Sequence, residues 1–298
     1  MTGSAPDFHS PRTLEEALEI RARTGAIPLA GGTDLLVRRR SWTGTLPDIH
    51  DPVVFIGALP ALAGVETIDV GGRATLRVGA AVTYADLLTD TRVPQLLKSS
   101  IVELAAPGLR NVATLAGNIC NASPAADAVC ALYALDASVE LASTDGSRTV
   151  PIEEFITGPG RTTLRSDELV VAVDIPLIEG NRVLYHKVGT RRANALSKLS
   201  ICAHATVEDD TVAALGIALG AVAPTVVRVR DAEEMILFTS VTGIQRRLDA
   251  VIDAYRPFVT PISDQRSTAE YRREVALGLV RRFLGERLAS PEAAPRPA

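Results

Sequence analysis

Apolar residues recur at helical spacing near the start of the chain. The stretch TLEEALEIRARTG begins with Thr13 and Glu16, which fit an N-terminal capping box, and ends at Gly25, a natural helix stop. The apolar run AIPLA then predicts a short strand, which leads through GGTD into a second helical pattern, LLVRRR. We therefore expect a helix, a strand, a glycine loop and another helix in that order.

Alternating apolar spacing follows in the middle of the chain. TIDVGGRATLRVGA predicts two strands around a Gly-Gly turn, ASVELASTDGSRTVPIEEF predicts a hairpin, and DELVVAVDIP predicts a further strand. TYADLL, capped by Thr83, and VPQLLKSSIVELAA have helical spacing. Strand patterns recur after Gly180, helical patterns close the chain, and the tail ASPEAAPRPA is typical of disorder. The middle portion is thus expected to be α+β with a largely antiparallel sheet.

Composition narrows the class of protein. The chain has 298 residues, of which 47% are apolar, and a formal charge of −4. This length and apolar content suit two domains with good cores, while the acidic balance argues against nucleic acid as a partner. The longest apolar run, VAALGIALGAVAPTVV, is short and broken by Gly and Pro, and the N-terminus lacks an apolar signal region. We expect no integral membrane segment and no secretion signal.

Cysteine and histidine are not spaced for metal binding. Cys120, Cys130 and Cys202 form neither a disulfide framework nor a cluster motif, and the four histidines lack HxH or HxxxH spacing. The cysteine usage is typical of a reducing, cytoplasmic compartment. No metal site is expected on this chain, so any iron–sulfur cluster that works with it must lie on another polypeptide.

The first candidate site is the glycine loop Gly31-Gly32-Thr33-Asp34. Glycines let the backbone approach a ligand, and successive N–H groups next to a helix N-terminus can bind an anion such as phosphate. The loop has neither the Walker A ending nor the GxGxxG pattern, and a plain turn is the alternative interpretation. Because pyrophosphate would repel a carboxylate, Asp34 is expected to cap local N–H groups instead.

The second candidate is ATLAGNICNASPAAD, from Ala113 to Asp127. It has a glycine, Gly117, and Pro124 fits a first helical position with Ser123 as its cap. Its side chains that can hydrogen-bond without bringing charge are Thr114, Asn118, Asn121 and Ser123. The segment could pass close to a long polyhydroxylated ligand or could be a tight backbone crossing in the core. Two such loops would suit two ends of one ligand, with phosphates in one and a sugar-like chain in the other.

Four stretches in this order resemble a known family. LAGGTDLL, RNVATLAGNICNASPAAD, DELVVAVDIP and KVGTRRANALSK are similar to the FAD-binding medium subunits of molybdenum hydroxylases, the family of xanthine dehydrogenase and carbon monoxide dehydrogenase. PISDQRSTAEYRREVALGLVRR resembles that family's C-terminal domain. The resemblance runs from about Phe8 to Leu288.

The resemblance implies an α+β fold of the vanillyl-alcohol-oxidase (PCMH) type. Two subdomains, residues 1–60 and 61–178, would hold FAD between them. A C-terminal domain, residues 179–288, would contain a small antiparallel sheet with helices, and residues 289–298 would be a disordered tail.

The resemblance also implies which residues contact FAD. The first loop would hold the pyrophosphate through main-chain N–H groups, Asp127 would bond the ribityl or phosphate side, and Lys187 would lie near the isoalloxazine ring, favouring negative charge on reduced flavin. Apolar positions beside the flavin would be Leu104, Leu169 and Val170. The complete implied set is Leu29, Ala30, Gly31, Gly32, Thr33, Asp34, Leu35, Leu104, Ala113, Thr114, Gly117, Asn118, Cys120, Ser123, Asp127, Leu169, Val170 and Lys187.

The implied function is that of a flavin station in a multisubunit dehydrogenase. A large partner would carry a molybdenum–pterin cofactor, and a small partner would carry two [2Fe–2S] clusters that deliver electrons to FAD for an external acceptor. The assembly would be a dimer of heterotrimers, and no residue of this chain would be catalytic toward the organic substrate. One alternative is a self-contained FAD oxidoreductase of the vanillyl-alcohol-oxidase type, with Lys187 or Tyr84 as acid–base candidate. The other is an assembly module without flavin.

Overall fold

The computed structural model describes residues 6–39, 48–178, 180–191 and 194–288. Its α-helices are α1 (Leu14–Thr24), α2 (Leu35–Arg38), α3 (Tyr84–Thr89), α4 (Gln95–Val102), α5 (Pro107–Arg110), α6 (Leu115–Asn121), α7 (Asp127–Ala134), α8 (Ile152–Phe155), α9 (Arg230–Glu234), α10 (Leu248–Tyr255) and α11 (Ala269–Arg282). Its strands are β1 (Phe8–His9), β2 (Ile27–Leu29), β3 (Val53–Phe55), β4 (Val65–Val70), β5 (Arg73–Gly79), β6 (Ser138–Ser143), β7 (Gly146–Pro151), β8 (Ile156–Gly158), β9 (Arg161–Thr162), β10 (Leu169–Pro176), β11 (Arg182–Val188), β12 (Leu199–Glu208), β13 (Thr211–Gly220) and β14 (Val227–Arg228). The tail predicted to be disordered, residues 289–298, lies outside the described residues.

Contacts divide the chain into two units that do not follow chain order. Unit 1 takes the described residues within 1–93, 105–123 and 136–177. Unit 2 takes those within 94–104, 124–135 and 178–298, so α4 and α7 belong with the C-terminal part of the chain. The domain boundaries at 60/61 and 178/179 stay predictions.

Unit 1 is built on two main sheets. Strands β1, β3 and β2 form a parallel sheet in that order. Helix α1 lies between β1 and β2 in the chain and connects them. A five-stranded antiparallel sheet has the order β4-β5-β10-β6-β7. Its central strand β10 is buried along most of its length, which explains the nearly continuous apolar pattern of DELVVAVDIP. The predicted hairpins and the antiparallel sheet are confirmed.

The predicted helix ends of unit 1 are largely confirmed. Thr13 caps α1 by accepting a hydrogen bond from the Glu16 N–H, and Gly25 ends that helix in the left-handed region at φ +65°. The Glu16 carboxylate accepts from the N–H of Arg12 rather than Thr13, so the capping box is only half formed. Thr83 and Asp86 form a complete capping box at the start of α3.

Unit 2 contains the predicted small antiparallel sheet with helices. Its strand order is β11-β12-β13-β14, and α10 and α11 contribute to the same hydrophobic core as β12 and β13. The Tyr255 hydroxyl, fully buried at the end of α10, donates to the Ile217 carbonyl at 3.1 Å and so ties helix to sheet.

Candidate functional site

The predicted glycine loop joins β2 to α2 in unit 1. Leu29 ends the strand, Leu35 begins the helix, and Ala30 to Asp34 connect them. Gly32 has φ +68°, a conformation that glycine adopts without steric cost. Its carbonyl accepts the Leu36 N–H at 2.9 Å, which closes the first turn of α2. The predicted order of strand, loop and helix is confirmed.

The N–H groups of this loop are available to a ligand. Among the described residues, no backbone carbonyl accepts a hydrogen bond from the N–H groups of residues 31–35. The first N–H groups of a helix have no partner within the helix, which explains part of this pattern. Gly31, Gly32 and Thr33 are half-buried and Asp34 is exposed, so water or a ligand can reach them.

Asp34 does not play the capping role that its sequence position indicates. It occupies the N-cap of α2, but its side chain makes no cap hydrogen bond and is exposed. Its φ and ψ of −96° and −44° are helical, whereas a capping side chain normally sits on extended backbone. The expectation that its carboxylate caps local N–H groups is therefore wrong.

The loop packs directly on the second predicted segment. A Cβ added to Gly31 would lie 1.7 Å from the Val112 carbonyl oxygen and 3.1 Å from the Ala113 Cα. No side chain fits in that space, so Gly31 is required for the close approach of two backbones. The glycine loop and the start of the second segment, which the sequence pairs with one ligand, are thus neighbours in unit 1.

The middle of the second segment, Leu115–Asn121, is the helix α6 rather than a loop, which corrects the sequence interpretation. Thr114 is the N-cap of α6, and its hydroxyl accepts the Gly117 N–H at 3.0 Å. The Gly117 N–H is therefore used within the protein. Asn118 differs, because its Oδ1 is buried and has no hydrogen-bond partner in the described part of the chain. Such an atom is costly to bury unless a ligand or water satisfies it.

Cys120 and Ser123 lie at and beyond the end of α6. Burial raises the pKa of the Cys120 thiol to about 12, and the positive charge of Arg21 only partly opposes this rise. The thiol is therefore neutral at physiological pH, as its sequence context indicates. Ser123 follows the left-handed Ala122 and does not cap a helix at Pro124, because α7 begins at Asp127. The predicted Ser123 cap is wrong.

Leu169 and Val170 open β10 with their side chains buried in unit 1. Sequence reasoning missed the residue before them, Glu168, which is buried and whose carboxylate accepts from Arg148 Nε at 2.6 Å and from Arg148 Nη2 at 2.9 Å. The Arg165 N–H also donates to it at 2.8 Å. The hydrogen bond from Arg148 holds the pKa of Glu168 below its ordinary value.

The remaining candidates, Leu104, Asp127 and Lys187, belong to unit 2. The Lys187 ammonium donates to Asp127 Oδ2 at 2.6 Å and to the Glu103 carbonyl at 3.2 Å. Ser197 donates to Asp127 Oδ1 at 2.5 Å. The side chains of Lys187 and Asp127 are only 5% and 7% exposed. No local pattern could have revealed the partner Ser197, which is 70 residues from Asp127 in the chain.

This pair changes the electrostatic interpretation of Lys187. Its charge is balanced at contact distance by Asp127, so it is not the free cation that the resemblance implies. An ion pair can be buried only when its partners and further hydrogen bonds replace the lost hydration, and Ser197 and the Glu103 carbonyl supply such bonds here. Leu104, next to Glu103, is half-buried and its N–H donates to the Ile101 carbonyl at 3.0 Å.

Within the described ranges, no group of three or more His, Cys, Asp or Glu side chains is arranged to hold a metal ion. None of the helices described there has the length and apolar content needed to cross a membrane.

Comparison with known proteins identifies the family. Residues 4–178 match the FAD binding domain in molybdopterin dehydrogenase, and residues 185–287 match the CO dehydrogenase flavoprotein C-terminal domain. The chain belongs to this family of FAD-binding subunits.

Individual members of the family match over nearly the full length. The xanthine dehydrogenase FAD-binding subunit of Escherichia coli O157:H7 is 31% identical over 95% of this chain and 96% of its own. The glyceraldehyde dehydrogenase medium chain of Sulfolobus acidocaldarius is 30% identical over 91% and 94%. The solved carbon monoxide dehydrogenase of Hydrogenophaga pseudoflava matches with a TM-score of 0.84 and 27% identity, covering 97% of this chain and 99% of that one. The predicted fold class is confirmed.

FAD is the cofactor of this family, and unit 1 fits it. The backbone at Gly31 leaves no room for a side chain, and the N–H groups that follow it donate to no backbone carbonyl among the described residues. The buried Asn118 Oδ1 has no hydrogen-bond donor in the described part of the chain. These are groups that a dinucleotide with phosphates and hydroxyls would satisfy.

Proposed function

We propose that this chain is the flavin subunit of a multisubunit molybdenum hydroxylase. In this proposal, a large subunit oxidises the organic substrate at a molybdenum–pterin cofactor, and a small subunit supplies electrons from two [2Fe–2S] clusters. FAD, when bound, takes up two electrons and releases them to an external acceptor. The family membership and the medium-chain names of the relatives support the proposal.

The observation that carries the proposal is the row of open N–H groups from Gly31 to Leu35. We propose that they bind the FAD pyrophosphate, with Leu29 and Ala30 placing the loop. Because α2 has only four residues, individual N–H groups supply most of the attraction and the helix dipole adds little. Exposed Asp34 can turn its carboxylate into water, away from the phosphates.

The other residues of unit 1 would orient the rest of the cofactor. We propose that Asn118 Oδ1 accepts a hydrogen bond from a flavin or ribityl donor. Thr114 and Gly117 would act by shaping the start of α6, since their hydrogen bond joins them to each other. The remaining proposed contacts of unit 1 are Ala113, Cys120, Ser123, Leu169 and Val170.

Asp127 and Lys187 would provide a neutral polar group rather than a free charge. Asp127 and Lys187 are paired, and both Asp127 oxygens accept hydrogen bonds within the protein, so we propose that the pair keeps net charge away from the flavin. Leu104 would supply apolar contact. No residue in this proposal moves a proton on the organic substrate.

We further propose a cytoplasmic dimer of heterotrimers. All three cysteines are free thiols, which supports a reducing compartment. The self-contained oxidase is disfavoured because neither of its acid–base candidates is available: Tyr84 is 1% exposed, and Lys187 is ion-paired.

Purification from the native host tests the proposal. We expect yellow protein that copurifies with a molybdenum subunit and an iron–sulfur subunit, and whose flavin is reduced anaerobically only when those partners and substrate are present. A screen of NAD, quinones, cytochromes and oxygen then identifies the acceptor. Substrate turnover by the isolated yellow chain would support the self-contained oxidase instead, and a colourless chain would support an assembly module.

A further inference from the structure

The guanidinium of Arg21 bonds to main-chain carbonyls from two distant parts of unit 1. Arg21 lies in the last turn of α1, and its Nη1 donates to the Ala26 carbonyl at 2.6 Å and to the Gly25 carbonyl at 3.1 Å. Its Nε donates to the Glu168 carbonyl at 3.3 Å. Three carbonyls thus share one cation, and charge-assisted bonds of this kind are stronger than those between neutral groups.

Two of these carbonyls lie within three residues of segments proposed to contact FAD. Ala26, which is fully buried, is followed at once by β2, and β2 ends at the glycine loop. Glu168 is followed at once by Leu169 and Val170. A shift of either carbonyl would therefore be passed along a few residues of extended backbone to the proposed site.

The Glu168 end of this arrangement is itself fixed. Its carboxylate is held by two hydrogen bonds from Arg148 and one from the Arg165 N–H. The positive charge of Arg21 also partly opposes the rise that burial causes in the pKa of the Cys120 thiol. Arg21 thus joins the residue before β2 to the residue before β10, and Glu168 is itself held in place by its own hydrogen bonds.

We propose that Arg21 is a positioning residue that sets the spacing between the glycine loop and the Leu169–Val170 segment, and thereby the affinity for FAD. This role rests on the proposed function, since it presumes that those segments bind the cofactor. A planar guanidinium is needed because it can reach carbonyls in two directions at once, whereas a lysine ammonium would keep the charge but reach fewer of them.

The test measures FAD binding to the full-length chain after removal of its flavin. The variants are Arg21→Lys, which keeps the charge, and Arg21→Met, which removes it; Arg23→Met is the matched control, because Arg23 is exposed in the same helical turn. The readouts are the FAD dissociation constant from fluorescence quenching, the visible circular dichroism of bound flavin, and the melting temperature of the flavin-free protein.

We expect Arg21→Lys to raise the FAD dissociation constant by about tenfold, because FAD binding must then restore the spacing of the two segments that the lost hydrogen bonds maintained. Its flavin dichroism should change, while the flavin-free melting temperature stays within about 3 °C of the wild type. Arg23→Met should behave as wild type. Unchanged affinity in Arg21→Lys, or a loss of melting temperature with unchanged affinity, would overturn the positioning role alone. Failure of the wild type to bind FAD would overturn the proposed function as well.

Discussion

The glycine loop of unit 1 and the Asp127–Lys187 pair of unit 2 differ in whether their polar groups already have hydrogen-bond partners within the protein. In the loop, the N–H groups of residues 31–35 have no backbone acceptor among the described residues, and the chain there is partly exposed. In the pair, both carboxylate oxygens of Asp127 accept hydrogen bonds, from Lys187 and from Ser197, and the side chains of Asp127 and Lys187 are almost fully buried. The loop therefore offers open donors, whereas both oxygens of the carboxylate are already engaged.

This difference separates two roles that polar groups can have near a cofactor: binding it directly and stabilising the fold around it. Open main-chain donors are suited to binding an anion, because the ligand replaces water at little cost to the fold. A saturated ion pair is suited to holding structure, because removing one partner leaves a buried charge. Changes in the loop should therefore reduce cofactor binding and leave stability nearly intact, whereas changes in the pair should reduce stability.

The largest effect is expected for Gly32→Val, which should abolish flavin retention while most of the fold remains. Gly32 has φ +68°, where a side chain costs about 1–2 kcal/mol, and its Cβ would lie 3.1 Å from Cδ1 of both Leu29 and Leu36. The loop must then move, and its N–H groups lose their arrangement. Flavin content per chain, measured by absorbance, checks the prediction.

Gly64→Val is the control for this substitution. Gly64 is exposed, and no atom lies within 4 Å of an added Cβ. We expect full flavin content there. Normal flavin content in soluble Gly32→Val protein would contradict the assignment of pyrophosphate to this loop.

The second largest effect is expected for Lys187→Met, which should lower the free energy of unfolding by about 3–5 kcal/mol. The substitution leaves the Asp127 carboxylate buried without a counter-ion, and Ser197 alone cannot compensate. Urea denaturation followed by circular dichroism measures the loss. Lys98→Met, on the half-buried side of α4, is the control for removing a lysine charge. Equal stability of the two variants would show that the pair does not hold unit 2 together.

The contrast between the loop and the pair also explains which features of the site could be predicted from the sequence. The glycine loop is local, so its strand, its turn and the helix at Leu35 follow from adjacent residues. The partners of Asp127 lie 60 and 70 residues away, and only the folded chain brings them together. The sequence interpretation of Ala113–Asp127 as a loop is wrong over Leu115–Asn121, because the weak helix propensity of Gly117, Asn118 and Asn121 is overridden in the folded chain.

A smaller loss is expected for Ser197→Ala, about 1–3 kcal/mol. The change removes the hydrogen bond to Asp127 Oδ1 and leaves one buried carboxylate oxygen without that donor, but the charge of Lys187 still balances the carboxylate. Ser99→Ala serves as the control, because the Ser99 hydroxyl on α4 accepts a long 3.3 Å bond from Gln95 at an exposed site. Urea denaturation compares the two variants. A loss as large as that of Lys187→Met would mean that the hydroxyl, rather than the ammonium, stabilises Asp127.

The smallest effect is expected for Glu103→Gln, and its size depends on pH. Loss of hydration raises the pKa of the Glu103 carboxyl; Lys187 opposes this rise only partly, and the charge of Asp127 adds to it. A folded-state pKa above the unfolded value means that the ionised carboxylate destabilises the fold, a cost that appears as pH rises through the ordinary range and is complete above the raised pKa.

The Glu103→Gln substitution would remove this cost and keep the main-chain carbonyl that accepts from Lys187. Because Glu103 is exposed, screening limits the gain to a few tenths of a kcal/mol. Urea midpoints should therefore favour Glu103→Gln slightly at about pH 7 and nearly coincide with wild type below about pH 4, where the carboxyl is mostly protonated in both states. If Glu103→Gln were instead less stable at neutral pH, the attraction between Lys187 and the Glu103 carboxylate would be stabilising the fold. The charge of Lys187 would then not be balanced by Asp127 alone, and the contrast with the glycine loop would fail.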